Sequence, residues 1–323
     1  MNAIVRFVAS FWLISFLGAC APTVQESGEI TGSAHLGRDY LLTGDGMRLP
    51  VRAWPAEGAL RAVLIAVHGF NDYSYSYNLP AQWWQGQGIT TIAYDQRGFG
   101  EAPNVGIWPG KELLIRDLAE MVGAVRKEYP GAPLYLIGES MGGAVVINAL
   151  SHDGFPEVDG VILSAPAVWG WQAMNPFYQL ILWTAAHSIP AVTLTGEGTG
   201  IQASDNIEIL RALSADPLFI KETRIDAIYG LVNLMDDAYD RARDLTDVPL
   251  LLLYGAHDQL VPKEPVAKIA AELPPRADIV YYENGWHMLM RDLQGPMVWR
   301  DISDWILARD IPSGKRIAEL PAD

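Results

Sequence analysis

The chain is poor in cysteine, in basic charge and in long apolar runs. A single cysteine, Cys20, among 323 residues excludes an intrachain disulfide framework and any multi-cysteine zinc or iron–sulfur site. With 23 Lys and Arg against 38 Asp and Glu, the formal net charge is −15. Phosphate binding needs clustered cations, so nucleic acid is not expected as a partner. Internal repeats and long low-complexity tracts are also missing. What the chain has in quantity is apolar side chains, 50% of the total, enough for a substantial core in one elaborated domain or two.

The N-terminus begins with one cation, Arg6, and an apolar run from Phe7 to Leu17 broken only by Ser10 and Ser15. That run is shorter than the ~20 residues of a comfortable membrane span, and has the shape of a secretory signal. Leu17-Gly18-Ala19-Cys20 resembles the lipobox of bacterial lipoproteins. The resemblance implies cleavage after residue 19 and lipid on Cys20, and so a membrane partner through an N-terminal lipid anchor in a bacterial cell envelope. The mature chain then carries 22 cations and 38 acids, a net −16, since Arg6 is lost with residues 1–19. Ala21, rather than Asp, after the cysteine favours the outer membrane, facing the periplasm, if the host is Gram-negative. Residues 20–39 are polar and Gly/Ser/Thr-rich and are expected to be a tether.

From Tyr40 the pattern is that of an α/β domain. Tyr40 to Pro55 reads as two short strands around the Gly44-Asp45-Gly46 turn. Arg61 to Phe70 is a continuous apolar run, as in a strand buried on both faces of a parallel sheet. A helix at AQWWQGQG, a strand from Ile89 to Asp95 and an amphipathic helix from Glu112 to Glu128 follow. Next come a strand and helix around LYLIGESMGG, Leu134 to Gly143, and a strand from Val158 to Ser164. Strands alternating with helices predict a mostly parallel sheet covered on both faces, with ligands at the carboxyl ends of the strands.

Between Pro166 and Thr246 strand-like alternation disappears and aromatics such as Trp169, Trp171, Phe177, Tyr178 and Trp183 sit among helix-like runs. This is expected to be a helical cap insertion, residues 166–246, dividing a core made of 40–165 and 247–323. Its GEGTG stretch, Gly196 to Gly200, lacks the following Lys-Ser/Thr of a phosphate loop. The core resumes with a strand in Val248–Asp258, a helix in Pro262–Leu273, a strand in Ala277–Tyr282 and a final helix in Pro296–Arg309. His287 then falls in a loop after the last expected strand.

Gly138-Glu139-Ser140-Met141-Gly142 matches GxSxG, in which a strained strand-to-helix turn exposes a serine hydroxyl. A serine attacks efficiently only with a base to take its proton and an acid to orient that base. His287 is the best base on position, with His257 a competitor beside Asp258, and His68 suited to backbone placement. Asp258, at the end of its strand, is the acid, with Glu283 and Asp292 as local alternatives. The order Ser140, Asp258, His287 is that of α/β-hydrolases. The oxyanion donors are expected at the backbone N–H groups of Phe70 and Met141. No metal and no cofactor is required.

His68-Gly69-Phe70, Asp95-Gln96-Arg97-Gly98-Phe99-Gly100, GESMGG, Asp216-Pro217-Leu218, YGAHDQLVP and GWHMLMRD together resemble the monoacylglycerol lipase and lysophospholipase group of α/β-hydrolases. The resemblance covers nearly everything after residue 39. It implies hydrolysis of a lipid-like ester through an acyl-enzyme, with a helical cap over an acyl pocket. The sequence departs from the group at Glu139, where histidine is common, and at Gly100-Glu101-Ala102, where a serine often follows the glycine. Other readings are an esterase or thioesterase for short-chain soluble substrates, and a noncatalytic lipoprotein that reuses the fold for binding.

Overall fold

The computed structural model describes residues 21–245, 248–311, 315–317 and 320–321. Cys20 and the expected signal peptide, 1–19, lie outside these residues, as do Thr246 and Asp247.

The strands are β1 (His35–Leu36), β2 (Tyr40–Leu42), β3 (Arg48–Trp54), β4 (Ala62–Val67), β5 (Ile89–Tyr94), β6 (Leu134–Glu139), β7 (Gly160–Ser164), β8 (Thr193–Thr195), β9 (Glu222–Arg224), β10 (Leu250–Gly255), β11 (Asp278–Tyr282) and β12 (Lys315–Ile317). All except β8 and β9 form one sheet in the order β1-β2-β3-β5-β4-β6-β7-β10-β11-β12. The centre, β5 to β11, is parallel, and antiparallel pairs flank it on both edges. The strand order reverses at β4, which has β5 on one side and β6 on the other. A crevice opens at the carboxyl ends of the strands at such a reversal.

The continuous apolar run of β4 follows from its position. Val63, Ile65 and Val67 enter one core cluster while Ala62, Leu64 and Ala66 enter the other. Alternate side chains point to opposite faces, so a strand with cores on both sides has no polar face. The first core packs the sheet against α2 (Lys111–Glu128), through Leu114, Leu118, Met121 and Val122, and against α3 (Met141–Leu150). The opposite face is covered by α1 (Asn78–Gln85) and by Val298, Ile302 and Trp305 of the C-terminal helix.

Between β7 and β10 the chain forms α4 (Pro176–Ala186), α5 (Ile207–Ala215) and α6 (Ile225–Arg241). Helices α7 (Lys263–Glu272) and α8 (Gly295–Ala308) follow β10 and β11 respectively. The loss of strands expected across 166–246 is incomplete, because β8 and β9 pair there as a small antiparallel ribbon. All three β8 residues are exposed, so backbone pairing leaves no apolar alternation to read. Nor is β11 the last strand, since the backbone of β12 pairs beside it.

The expected tether is also corrected. Gln25 N–H donates to Trp108 O at 2.9 Å, Thr31 N–H to Gly44 O at 2.9 Å, and Thr23 N–H to Asp226 Oδ2 at 3.1 Å. β1 then pairs with β2. This segment is laid on the domain through its backbone, which any composition can supply, so a polar sequence did not reveal it.

One buried cation fastens the hairpin turn to the sheet. Arg97 reaches both oxygens of Asp117 on α2, at 2.6 and 2.8 Å, and both oxygens of Asp45 in the Gly44–Gly46 turn, at 3.0 and 2.8 Å. All three side chains are 1% exposed. Replacing Arg97 with methionine leaves these carboxylates without their shared counterion, and such a break costs about 3–5 kcal/mol. Urea denaturation of Arg97→Met is expected to show that loss as a lower midpoint at an unchanged slope.

Candidate active site

Ser140 is at the turn between β6 and α3 with φ 53° and ψ −117°. This left-handed backbone is strained for a residue with a Cβ and holds only where the surroundings fix it. The surroundings here are close-packed backbone. A Cβ on Gly142 would lie 2.0 Å from Val67 O, and one on Gly138 would lie 2.5 Å from the Gly142 carbonyl. Both outer positions of the GxSxG motif therefore have no room for a side chain. Ser140 O accepts from Gly143, Ala144 and Ala167 N–H, locking the turn from inside.

The loop after β4 passes directly beside this turn, so that a Cβ on Gly69 would sit 3.4 Å from the Ser140 Cβ. His68 holds the loop in place. Gln96 N–H donates to His68 Nε2 at 3.0 Å, which leaves Nδ1 as the protonated nitrogen facing Gly69 O at 2.8 Å. Burial depresses the His68 pKa, consistent with a neutral ring. The Gln96 side-chain amide also donates to His68 O at 2.9 Å. Part of the Asp95–Gly100 motif thus serves as scaffold for the loop that carries Phe70. Among the described residues, neither Phe70 N–H nor Met141 N–H has a protein acceptor. Met141 is moreover the first residue of α3, where helix N–H groups favour negative charge.

Of the candidate bases and acids, the structure joins His287 and Asp258. His287 Nδ1 donates to Asp258 Oδ2 at 2.8 Å, with the Asp258 side chain fully buried. Asp258 Oδ1 accepts from Leu260 and Val261 N–H at 2.8 and 2.9 Å, which fixes the carboxylate. No hydrogen bond to Ser140 Oγ accompanies the His287 pair among the described residues, and serine–histidine contacts often tighten only when substrate binds. His257 is exposed and lies against the Trp286 ring, 5.4 Å between centroids. Glu283 is exposed. Asp292 is committed elsewhere, accepting from Trp286 N–H at 2.7 Å and Ser204 Oγ at 2.6 Å.

Two residues at the site had no role assigned from sequence. Arg291 Nη1 donates to Asp72 Oδ2 at 2.7 Å and Nη2 to Glu139 Oε2 at 2.9 Å, with all three side chains at most 6% exposed. Glu139 is therefore a buried, paired carboxylate. The signal available in sequence was that Asp72 lies two residues after His68-Gly69-Phe70 and Arg291 lies inside GWHMLMRD. A cavity of about 220 Å³ borders this cluster and runs toward α5, with Asp72, Ser76, Asn78, Leu213 and Arg291 in its wall.

Residues 58–294 match the model of the family Hydrolase_4, described as serine aminopeptidase, S33. The chain belongs to this family. It is a serine hydrolase with the α/β-hydrolase fold. Human monoglyceride lipase is 26% identical over 284 residues, 85% of this chain and 92% of the relative. The monoacylglycerol lipase of Mycolicibacterium smegmatis is 26% identical over 280 residues, covering 81% and 94%. The fold matches a soluble variant of the Saccharomyces cerevisiae monoglyceride lipase, solved with a substrate analogue, at TM-score 0.70 and 19% identity over 87% of this chain and 96% of that one. These similarities group the chain with lipase- and esterase-type enzymes.

The electrostatics give the site a pH signature. Burial alone would lower the His287 pKa, but the Asp258 carboxylate, its hydrogen bond and the nearby Glu139 outweigh burial and the Arg291 cation, and raise it above 6.5. A base must be neutral to accept a proton, so kcat/KM is expected to fall as pH drops through a value above 6.5. Asp258→Asn is expected to move that acid limb to lower pH and to reduce kcat by about 10⁴-fold. The check is a rate profile across pH 5 to 9 for both proteins.

Proposed function

We propose that the protein is a membrane-tethered serine esterase that hydrolyses lipid monoesters such as monoacylglycerols or lysophospholipids. The observation that carries this reading is the buried Asp258–His287 pair at the same sheet end as the strained Ser140 turn. In the mechanism, His287 Nε2 takes the Ser140 hydroxyl proton as Oγ attacks the ester carbonyl. The carbonyl electron pair moves onto oxygen, held by Phe70 and Met141 N–H. Collapse breaks the ester C–O bond and His287 protonates the departing alcohol. Water, deprotonated by His287, then attacks the acyl carbonyl, and the bond to Oγ breaks as His287 returns the proton to Ser140 and the acid departs. Asp258 keeps the imidazole oriented and stabilises its charged form.

Several features favour a lipid ester over a peptide. An aminopeptidase substrate carries a free ammonium that needs an unpaired carboxylate, yet Asp72 and Glu139 are both occupied by Arg291. Helix α4 carries no charged residue and exposes Phe177 by 66%, Tyr178 by 63%, Leu180 by 63% and Trp183 by 52%. A contiguous apolar surface of this kind suits a lipid interface. Residues 166–246 act in this reading as a cap that faces the lipid. The cavity that runs toward α5 has Tyr75 and Asn78 in its wall, polar side chains that suit a hydroxyl-bearing head group. The relatives named as monoglyceride lipases support the same substrate class.

A panel of esters graded by acyl length and head group is expected to give highest kcat/KM for long-chain monoesters, with Ser140→Ala at least ~10³-fold slower on all of them. Preference for short, soluble acyl groups would instead favour the small-substrate reading. Equal labelling of wild type and Ser140→Ala by a fluorophosphonate would remove Ser140 from the mechanism.

Cys20 carries the membrane part of the proposal. Cys20→Ala is expected to abolish lipid incorporation and shift the protein from the membrane to the soluble fraction. Unchanged processing and fractionation would overturn the anchor.

A further inference from the structure

Three loops must keep their spacing for the proposed reaction to proceed. One carries Phe70 N–H, another carries Ser140 and Met141 N–H, and the third carries His287. Asp72 is two residues after Phe70, Glu139 directly precedes Ser140, and Arg291 is four residues after His287. The Arg291 guanidinium bonds both acids, at 2.7 and 2.9 Å, and so touches all three loops at once.

We propose that Arg291 is the positioning residue of the site, its one planar guanidinium setting the distance between the two oxyanion donors and tying both to the loop of the base. This rests on the esterase reading for its catalytic meaning, although the clamp itself is a matter of geometry. The ends of the clamp are fixed. Asp72 Oδ1 accepts from Tyr73 N–H at 2.9 Å while Oδ2 takes Arg291, and Asp72 N–H donates to Gly69 O at 3.3 Å. Glu139 is the last residue of β6, paired across the sheet with Ser164. On its own loop, Arg291 N–H donates to Met288 O at 2.7 Å, and Arg291 O accepts from Asn206 Nδ2 at 3.0 Å. The backbone at each end of the clamp is thus held by bonds of its own.

Charge balance argues that the cluster is kept for geometry. Two acids share one cation in a nearly dry place, where burial raises the Glu139 pKa, and Glu139 Oε1 and Arg291 Nε have no partner there among the described residues. Well-packed apolar side chains of similar volume often do as well or better for stability than a buried ion cluster. What apolar side chains do not supply is a rigid fork with fixed bond directions, which a guanidinium does. A lysine presents a single ammonium on a flexible stem and can satisfy the cluster only in part.

The test compares wild type, Arg291→Lys, Arg291→Met and the uncharged triple variant Asp72→Asn/Glu139→Gln/Arg291→Met. Each is assayed on a p-nitrophenyl ester, with thermal unfolding to establish the folded fraction and amide hydrogen exchange across residues 69–73. Misplacing a reacting geometry by about 1 Å can cost on the order of 100-fold in rate. Arg291→Met is expected to lose about that factor in kcat with KM within about threefold, Arg291→Lys to recover part of it, and exchange across 69–73 to speed up. The triple variant is expected to unfold at a higher temperature than Arg291→Met yet stay slow. It also covers the case in which Arg291→Met alone fails to fold, because it buries no unpaired charge. Wild-type kcat in folded Arg291→Met or in the triple variant, or unchanged exchange in the loop, overturns the proposal. A wild type inert toward every ester would instead sink the esterase reading, while the exchange comparison would still decide the clamp.

Discussion

The close approach of α3 to the end of β4 is the constraint on which the rest of the site depends. A Cβ on Gly142 would lie 2.0 Å from Val67 O, so the helix can only sit there if that residue is glycine. The turn at Ser140, two residues before that glycine, has positive φ and lies beside Gly69 on the neighbouring loop. Because β4 and β6 are the strands at which the sheet order reverses, the same contact opens the crevice in which a substrate can lie. The turn at Ser140, the Met141 N–H that has no protein acceptor among the described residues and the nearness of the Phe70 loop all gather at this one packing contact.

Around that contact the protein uses buried charge as scaffold. Arg97 ties the β2–β3 turn to α2 through Asp45 and Asp117. Asp95 accepts from Ser74 N–H, Glu101 N–H and Arg52, and so gathers the segments that follow β4 and β5. Arg291 does the equivalent work among the segments that carry Asp72, Glu139 and His287. Asp292, next to it, reaches Ser204, so the His287 loop is tied to the segment between β7 and β10 as well. An acidic chain can place carboxylates at many junctions and then fix each with a single arginine, whose fork reaches several oxygens.

The surface has a separate logic. Helix α4 leaves apolar side chains in the open, while the N-terminal segment runs back along the domain and meets the start of α6 at Asp226. Thr23 is three residues from Cys20. A lipid on that cysteine would hold the segment between β7 and β10 near the bilayer by a short leash instead of letting the domain swing freely. The same bonds replace the tether expected from composition with a strap.

Much of the fold was legible in the chain because each signal was local. The apolar run of β4 is buried on both faces, the Gly44–Gly46 turn pairs β2 with β3, and GxSxG marks a turn that only small residues permit. The order Ser140, Asp258, His287 likewise named the candidate triad, and the Asp258–His287 bond forms as expected. What sequence left open concerned groups whose meaning lies in their partners. Glu139 acquires a role only beside Arg291, which it shares with Asp72, and His257 differs from His287 only in space, the one exposed and the other bonded to Asp258. β1, β8 and β12 are strands of two or three residues, too short to show an alternation along the chain. Sequence by itself determined the main strands and helices of the core, the strained turn and the chemistry of the residue types, because those follow from neighbours along the chain. Only the tertiary structure decided which charges share a buried site, because a guanidinium selects carboxylates by distance in space, here 219 and 152 positions away along the chain.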